Sequence, residues 1–136
     1  MIQLIYASKG NGKTKRLLDL CTDASKHTDG SIVFIDDDKR YLREVPSSVR
    51  FVDISEYDIE DDEALYGFLC GMYAQNYDIC EYFIDAFVKI VKKNPEDMES
   101  FFRKLERFSE DNNIKIVISV SAEVGNAPDF LRKYII

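Results

Sequence analysis

The chain has 136 residues, 46% of them hydrophobic, and a formal net charge of −7 at pH 7. That length corresponds to one domain with enough apolar material for a proper core. The acidic balance argues against binding a phosphate backbone non-specifically, which needs clustered cations, and no apolar run approaches the ~20 residues of a membrane crossing.

The first run, "IQLIY" (2–6), is β-branched and aromatic and predicts a strand. From Thr14 to about Lys26, Leu17, Leu18, Cys21 and Ala24 fall at helical spacing until "HTDG" (27–30) breaks the helix. "SIVFI" (31–35) predicts a second strand, ended by Asp36, Asp37 and Asp38, and "VRFVDI" (49–54) a third, after the turn signal "VPSS". "DDEALYGFLCGMYAQN" (61–76) places Leu65, Phe68, Leu69 and Met72 on one helical stripe, with acids in the first turn. Gly67 and Gly71, four residues apart, read as a surface for close packing against a sheet.

"YFI" (82–84) predicts a short strand ending at Asp85. "PEDMESFFRKLERFSEDNN" (95–113) predicts a helix opening at Pro95, with Met98, Phe101, Phe102, Leu105 and Phe108 facing the core. Its other face carries Arg103, Lys104, Glu106 and Arg107, with Glu99 and Arg103 at ion-pair spacing. "IKIVISV" (114–120) is the last clear strand, and "DFLRKYII" closes the chain. Strands separated by helices make βαβ units, so the expected fold is α/β: a three-layer α/β/α sandwich with a mostly parallel sheet of about five strands, residues 1–136 forming one domain.

Cys21, Cys70 and Cys80 are odd in number, lack metal-ligand spacing and lie in apolar stretches, so they read as reduced, buried thiols. "MIQLIYA" has no signal-peptide shape. The expected location is cytoplasmic, with no membrane insertion and no nucleic-acid partner. His27 is the only histidine and falls in a helix-ending turn, which leaves a histidine-based nucleophile system without support.

Chemistry concentrates in "ASKGNGKT", residues 7 to 14, between the first strand and the first helix. A phosphate-binding loop reads Gly-x-x-x-x-Gly-Lys-Ser/Thr. Ala7 takes its first position here, followed at the right spacing by Gly12, Lys13 and Thr14. A loop that wraps a phosphate turns successive N–H groups inward, and Gly10 and Gly12 permit the close approach and positive φ this requires. The helix starting near Lys13 then aims its free N–H groups and positive dipole end at the same anion. Lys13 supplies a point charge at the β- and γ-phosphates and Thr14 a hydroxyl for Mg²⁺, while Lys9 adds a further cation.

Through Ala7, Ser8, Lys9, Gly10, Asn11, Gly12, Lys13 and Thr14 the chain resembles the P-loop NTPase superfamily. The resemblance implies a nucleoside triphosphate, usually ATP, bound with magnesium by residues 8 to 15, Lys15 included. It also implies a buried strand ending in an aspartate that helps hold Mg²⁺. Two strands qualify, one ending at Asp36 and one at Asp85. Asp85 is preferred, because in the ATPase division the metal strand usually comes later than the first strand after the loop, so the expected metal residues are Thr14 and Asp85. Asp36 resembles the acid that contacts substrate in nucleotide-kinase-like members, and Asp36 to Asp38 equally suit a surface turn.

The chain departs from the ATPase division at Ala86, where that division carries the glutamate that orients the attacking water. Glu81, Glu123 or one of Asp36 to Asp38 could substitute, and Ser119 or Ser121 could act as a polar sensor. Arg103, Arg107 or Arg132 could serve as an arginine finger. Three functions remain open. One is an ATPase motor or switch completed by a protein partner or self-association, with a core faintly similar to the twitching-motility ATPases. The second is a nucleotide sensor or scaffold without turnover. The third is a small nucleoside-type kinase. Binding with slow or partner-dependent hydrolysis ranks first.

Overall fold

The computed structural model describes residues 1–136. Five strands, β1 (Ile2–Ala7), β2 (Ser31–Asp36), β3 (Arg50–Asp53), β4 (Ile79–Ile84) and β5 (Lys115–Ser121), form one sheet in the order β1-β5-β4-β2-β3. Every neighbouring pair is parallel. The helices are α1 (Lys13–His27), α2 (Asp62–Gln75), α3 (Phe87–Val91), α4 (Glu99–Asp111) and a final turn, α5 (Asp129–Arg132). The result is a three-layer α/β/α sandwich, as expected from alternating strands and helices.

Because both faces of a parallel sheet are covered, its strands are apolar throughout and successive residues serve opposite layers. On β2, Ile32 and Phe34 pack with Leu17 and Cys21 of α1, whereas Val33 and Ile35 face the larger core beneath α2, α3 and α4. The same alternation sends Phe83 and Val117 to the α1 side, and Tyr82, Ile84, Ile116 and Ile118 to the other. Phe51, Phe34, Phe83 and Val117 lie in register across four strands. Phe34 stacks on Phe51 at 5.9 Å and on Phe83 at 6.5 Å between ring centroids.

Met98, Phe101, Phe102, Leu105 and Phe108 are all buried, and Arg103 pairs with Glu99 at 3.1 Å on the solvent side. The amphipathic reading of this segment therefore holds. Its start differs: Pro95–Asp97 form a 3-10 turn, Met98 is non-helical at φ −119° and ψ 31°, and α4 begins only at Glu99. The strand expected over 82–84 begins earlier, at Ile79, and takes in the buried Glu81, whose charge interrupts the apolar run in the sequence. Helix α3 was not expected; it is only five residues long, too short to show a periodic pattern.

On α2, Leu65 and Leu69 are fully buried, while Phe68 and Met72 are half-buried. Gly67 and Gly71 do not pack closely on the sheet: both are exposed, and a Cβ at either would meet nothing within 4 Å. Of the cysteines only Cys21 is buried; Cys70 and Cys80 are half-buried, and all three are free thiols. The closing segment covers the edge of β1. Leu4 N–H donates to the Tyr134 carbonyl at 2.9 Å, and Ile136 N–H donates to the Leu4 carbonyl at 3.0 Å. Exposed sheet edges invite unwanted pairing, and this segment protects one of the two. No helix is long and apolar enough to cross a membrane.

Candidate functional site

The site is assembled at the C-terminal ends of the strands, where open parallel sheets commonly hold ligands. The turn after β1 needs its glycines, since Gly10 (φ 86°) and Gly12 (φ 73°) both adopt left-handed backbone. Asn11 fastens this turn, its Nδ2 donating to the Ser8 carbonyl at 2.9 Å and to Ser8 Oγ at 2.7 Å. Gly12 caps α1 and has no side chain to satisfy the first amides of the helix, and no acid stands in that first turn. The uncapped amides and the positive end of a 15-residue helix form a ready anion seat.

Lys13 and Thr14 follow at once. Lys13 is only 8% exposed, and its Nζ donates to the Ser8 carbonyl at 3.1 Å. Burial lowers its pKa, and the neighbouring Asp85 partly opposes that shift. Thr14 Oγ1 donates to Asp85 Oδ2 at 2.8 Å, while Ser119 Oγ donates to Asp85 Oδ1 at 2.5 Å. Three elements far apart in sequence thus meet at one buried carboxylate.

Sheet register explains the meeting. Continuing the α1-side alternation by one step beyond Phe34, Phe83 and Val117 gives Asp36, Asp85 and Ser119. Asp85 N–H also donates to the Ile35 carbonyl at 2.8 Å, which holds the ends of β2 and β4 together. Asp36 is 2% exposed; its Oδ1 accepts the Asp37 amide at 2.7 Å, and its Oδ2 has no partner. Burial, the adjoining Asp37 and the charge of Asp85 push the Asp36 carboxyl up to about 8.

These groups line one cleft of about 700 Å³, within the range of small-molecule sites. Lys9, Gly10, Gly12, Lys13, Thr14, Lys15, Asp36 to Asp38, Asp85, Ala86, Ser119 and Ser121 all contribute to its wall. Ser8 and Asn11 do not; they are occupied with each other in shaping the turn. Glu81 is near the opposite end of β4, in a separate groove with Lys115 and His27, and so cannot reach this cleft. Glu123 is exposed outside it, as are Arg103, Arg107 and Arg132, and Arg132 instead approaches Asp129 at 3.5 Å. Arg40 and Tyr41 also line the cleft, beside the three aspartates. Their signal was weak: a loop after an acidic run has no periodicity to direct its side chains.

No protein-family model matches the chain, and no curated protein matches it.

Proposed function

We propose that this cleft binds the polyphosphate of a nucleoside triphosphate, ATP as the reference case, together with Mg²⁺, and that hydrolysis is slow or depends on a protein partner. The observation that carries the reading is the convergence of a glycine turn, an uncapped helix start, Lys13 and the Thr14–Asp85 hydrogen bond in one cleft. Amides and a lysine suit phosphate oxygens. The hydroxyl of Thr14 and the carboxylate of Asp85 are hard oxygen donors of the kind Mg²⁺ takes, so these two residues would hold it. When bound, Mg²⁺ would neutralise charge on the phosphate oxygens. Lys13 binds and orients the anion, and Ser119 keeps the Asp85 carboxylate turned towards Thr14.

Ala86 lines the cleft directly after Asp85 and offers no group to accept a proton from water. That favours a second reading, a nucleotide sensor or scaffold without turnover. A phosphate-release assay separates the two.

A thermal-shift panel of nucleotides with and without Mg²⁺ tests the binding itself. A ligand specific for the fold at a hundred times its Kd stabilises by about 2.7 kcal/mol, so Mg-ATP is expected to raise the melting temperature by several degrees. Lys13→Ala is expected to abolish that shift while remaining folded. Equal ATP affinity in Lys13→Ala and the parent would overturn the assignment.

A further inference from the structure

Beside the phosphate seat, the same cleft is lined by Asp36, Asp37 and Asp38, each offering a carboxylate oxygen within 4.8 Å of the others. Acidic clusters are common on protein surfaces, and this one would mean little if all its members were solvated. Asp36 is not solvated. It is 2% exposed at the end of β2, and its Oδ2 has no hydrogen-bond partner. A buried carboxyl oxygen left in this way is costly unless something completes it. From these two observations we infer that Asp36, Asp37 and Asp38 form a site for a hard divalent cation, separate from the Thr14–Asp85 pair and able to fill without nucleotide.

The dimensions agree with the chemistry. Oxygens on opposite sides of one Mg²⁺ or Ca²⁺ ion lie about 4–5 Å apart at bond lengths of roughly 2.0–2.6 Å. The three carboxylates therefore need little adjustment to share an ion. All-carboxylate donors suit hard cations such as Mg²⁺, Ca²⁺ and Mn²⁺.

Two cations follow this turn, one engaged outside the acidic cluster and one within it. Lys39 pairs with Asp53 and Glu56, and Arg40 Nη2 contacts Asp38 Oδ2 at 3.2 Å. The Arg40–Asp38 pair is largely exposed, and exposed pairs are weak, so a divalent ion can displace it. Neither lysine nor arginine reaches the buried Asp36 Oδ2.

The inference does not depend on nucleotide binding, and its test omits nucleotide. Full-length protein is stripped with chelator and titrated with Mn²⁺, with free ion followed by electron paramagnetic resonance. One Mn²⁺ per chain is expected. Asp37→Asn/Asp38→Asn, at half-buried positions, is expected to weaken this binding at least tenfold, and Thr14→Ala less than twofold. Paramagnetic broadening of amide resonances supplies a check without substitution, and should be strongest at residues 36–39. Loss of the ion in Thr14→Ala, broadening centred on residues 13–15, or no Mn²⁺ binding at millimolar concentration would each overturn the proposal.

Discussion

Asp36 makes a quantitative prediction about stability. Its carboxyl titrates near 3.8 in an unfolded chain and is pushed up to about 8 in the fold by burial, by Asp37 and by the charge of Asp85. Between those values the folded protein holds a proton that the unfolded chain has released, so stability falls as pH rises. At about 1.4 kcal/mol per pH unit, moving from pH 4 to pH 7 costs on the order of 4 kcal/mol. Asp36→Asn keeps the shape and cannot ionise, so it removes that slope. It also buries an amide with an unmet hydrogen bond, which costs about 1–3 kcal/mol. The two stability curves are therefore expected to cross near pH 5–6. The parent should be the more stable below the crossing, and the variant by about 1–3 kcal/mol at pH 7. Urea denaturation followed by circular dichroism between pH 4.5 and 8.5, with chelator to exclude cations, reads both curves. Glu81, whose pKa is raised by burial and opposed by Lys115, tilts both proteins equally, so the difference reads Asp36 together with the acids it faces, Asp85 and Asp37. Parallel curves, or a parent that gains on the variant as pH rises, would refute the reasoning.

Ser119→Ala leaves the buried Asp85 Oδ1 without its donor and is expected to cost about 1–3 kcal/mol by chemical denaturation. Gly12→Ala forces a side chain into left-handed backbone at the start of α1 and is expected to cost about 1–2 kcal/mol, with loss of any Mg-ATP thermal shift. Ala86 already sits at φ 55°, so Ala86→Glu adds little backbone strain while bringing a carboxylate to the cleft wall. It is expected to raise ATP turnover in a phosphate-release assay, and an unchanged rate would point to another base.

The layers were legible in the sequence because apolar spacing reports burial directly. Leu17 and Cys21 mark the inner face of α1, Phe101, Phe102, Leu105 and Phe108 that of α4, and both faces are as the periodicity requires. Short or irregular pieces were not. Helix α3 spans little more than one turn, and the 3-10 turn at Pro95 shares its proline signal with a true helix start. Gly67 and Gly71 misled because glycine marks either close packing or open space, and the sequence alone does not distinguish these. In the site, Gly12, Lys13 and Thr14 could be read from local spacing. The choice between Asp36 and Asp85 could not, since both end buried strands; the fold brings both to one cleft and gives only Asp85 the Thr14 hydroxyl.

That difference follows from sheet order. Asp85 directly follows β4, which lies between β5 and β2, so Ser119 reaches it from one side while the Thr14 hydroxyl descends from the start of α1. Asp36 ends the next strand outward; its carboxyl accepts one hydrogen bond, from the amide of its own successor, and keeps one oxygen without a partner. A slip of one residue in the β2–β4 register would turn Asp36 to the opposite face and expose part of the Phe34–Phe83 stack. The packing that holds the register therefore also holds an incompletely satisfied carboxylate in the cleft. The aromatic row of Phe51, Phe34 and Phe83 lies two residues behind the acids and fixes their side of the sheet, and the bare oxygen is where a ligand would return some of the cost.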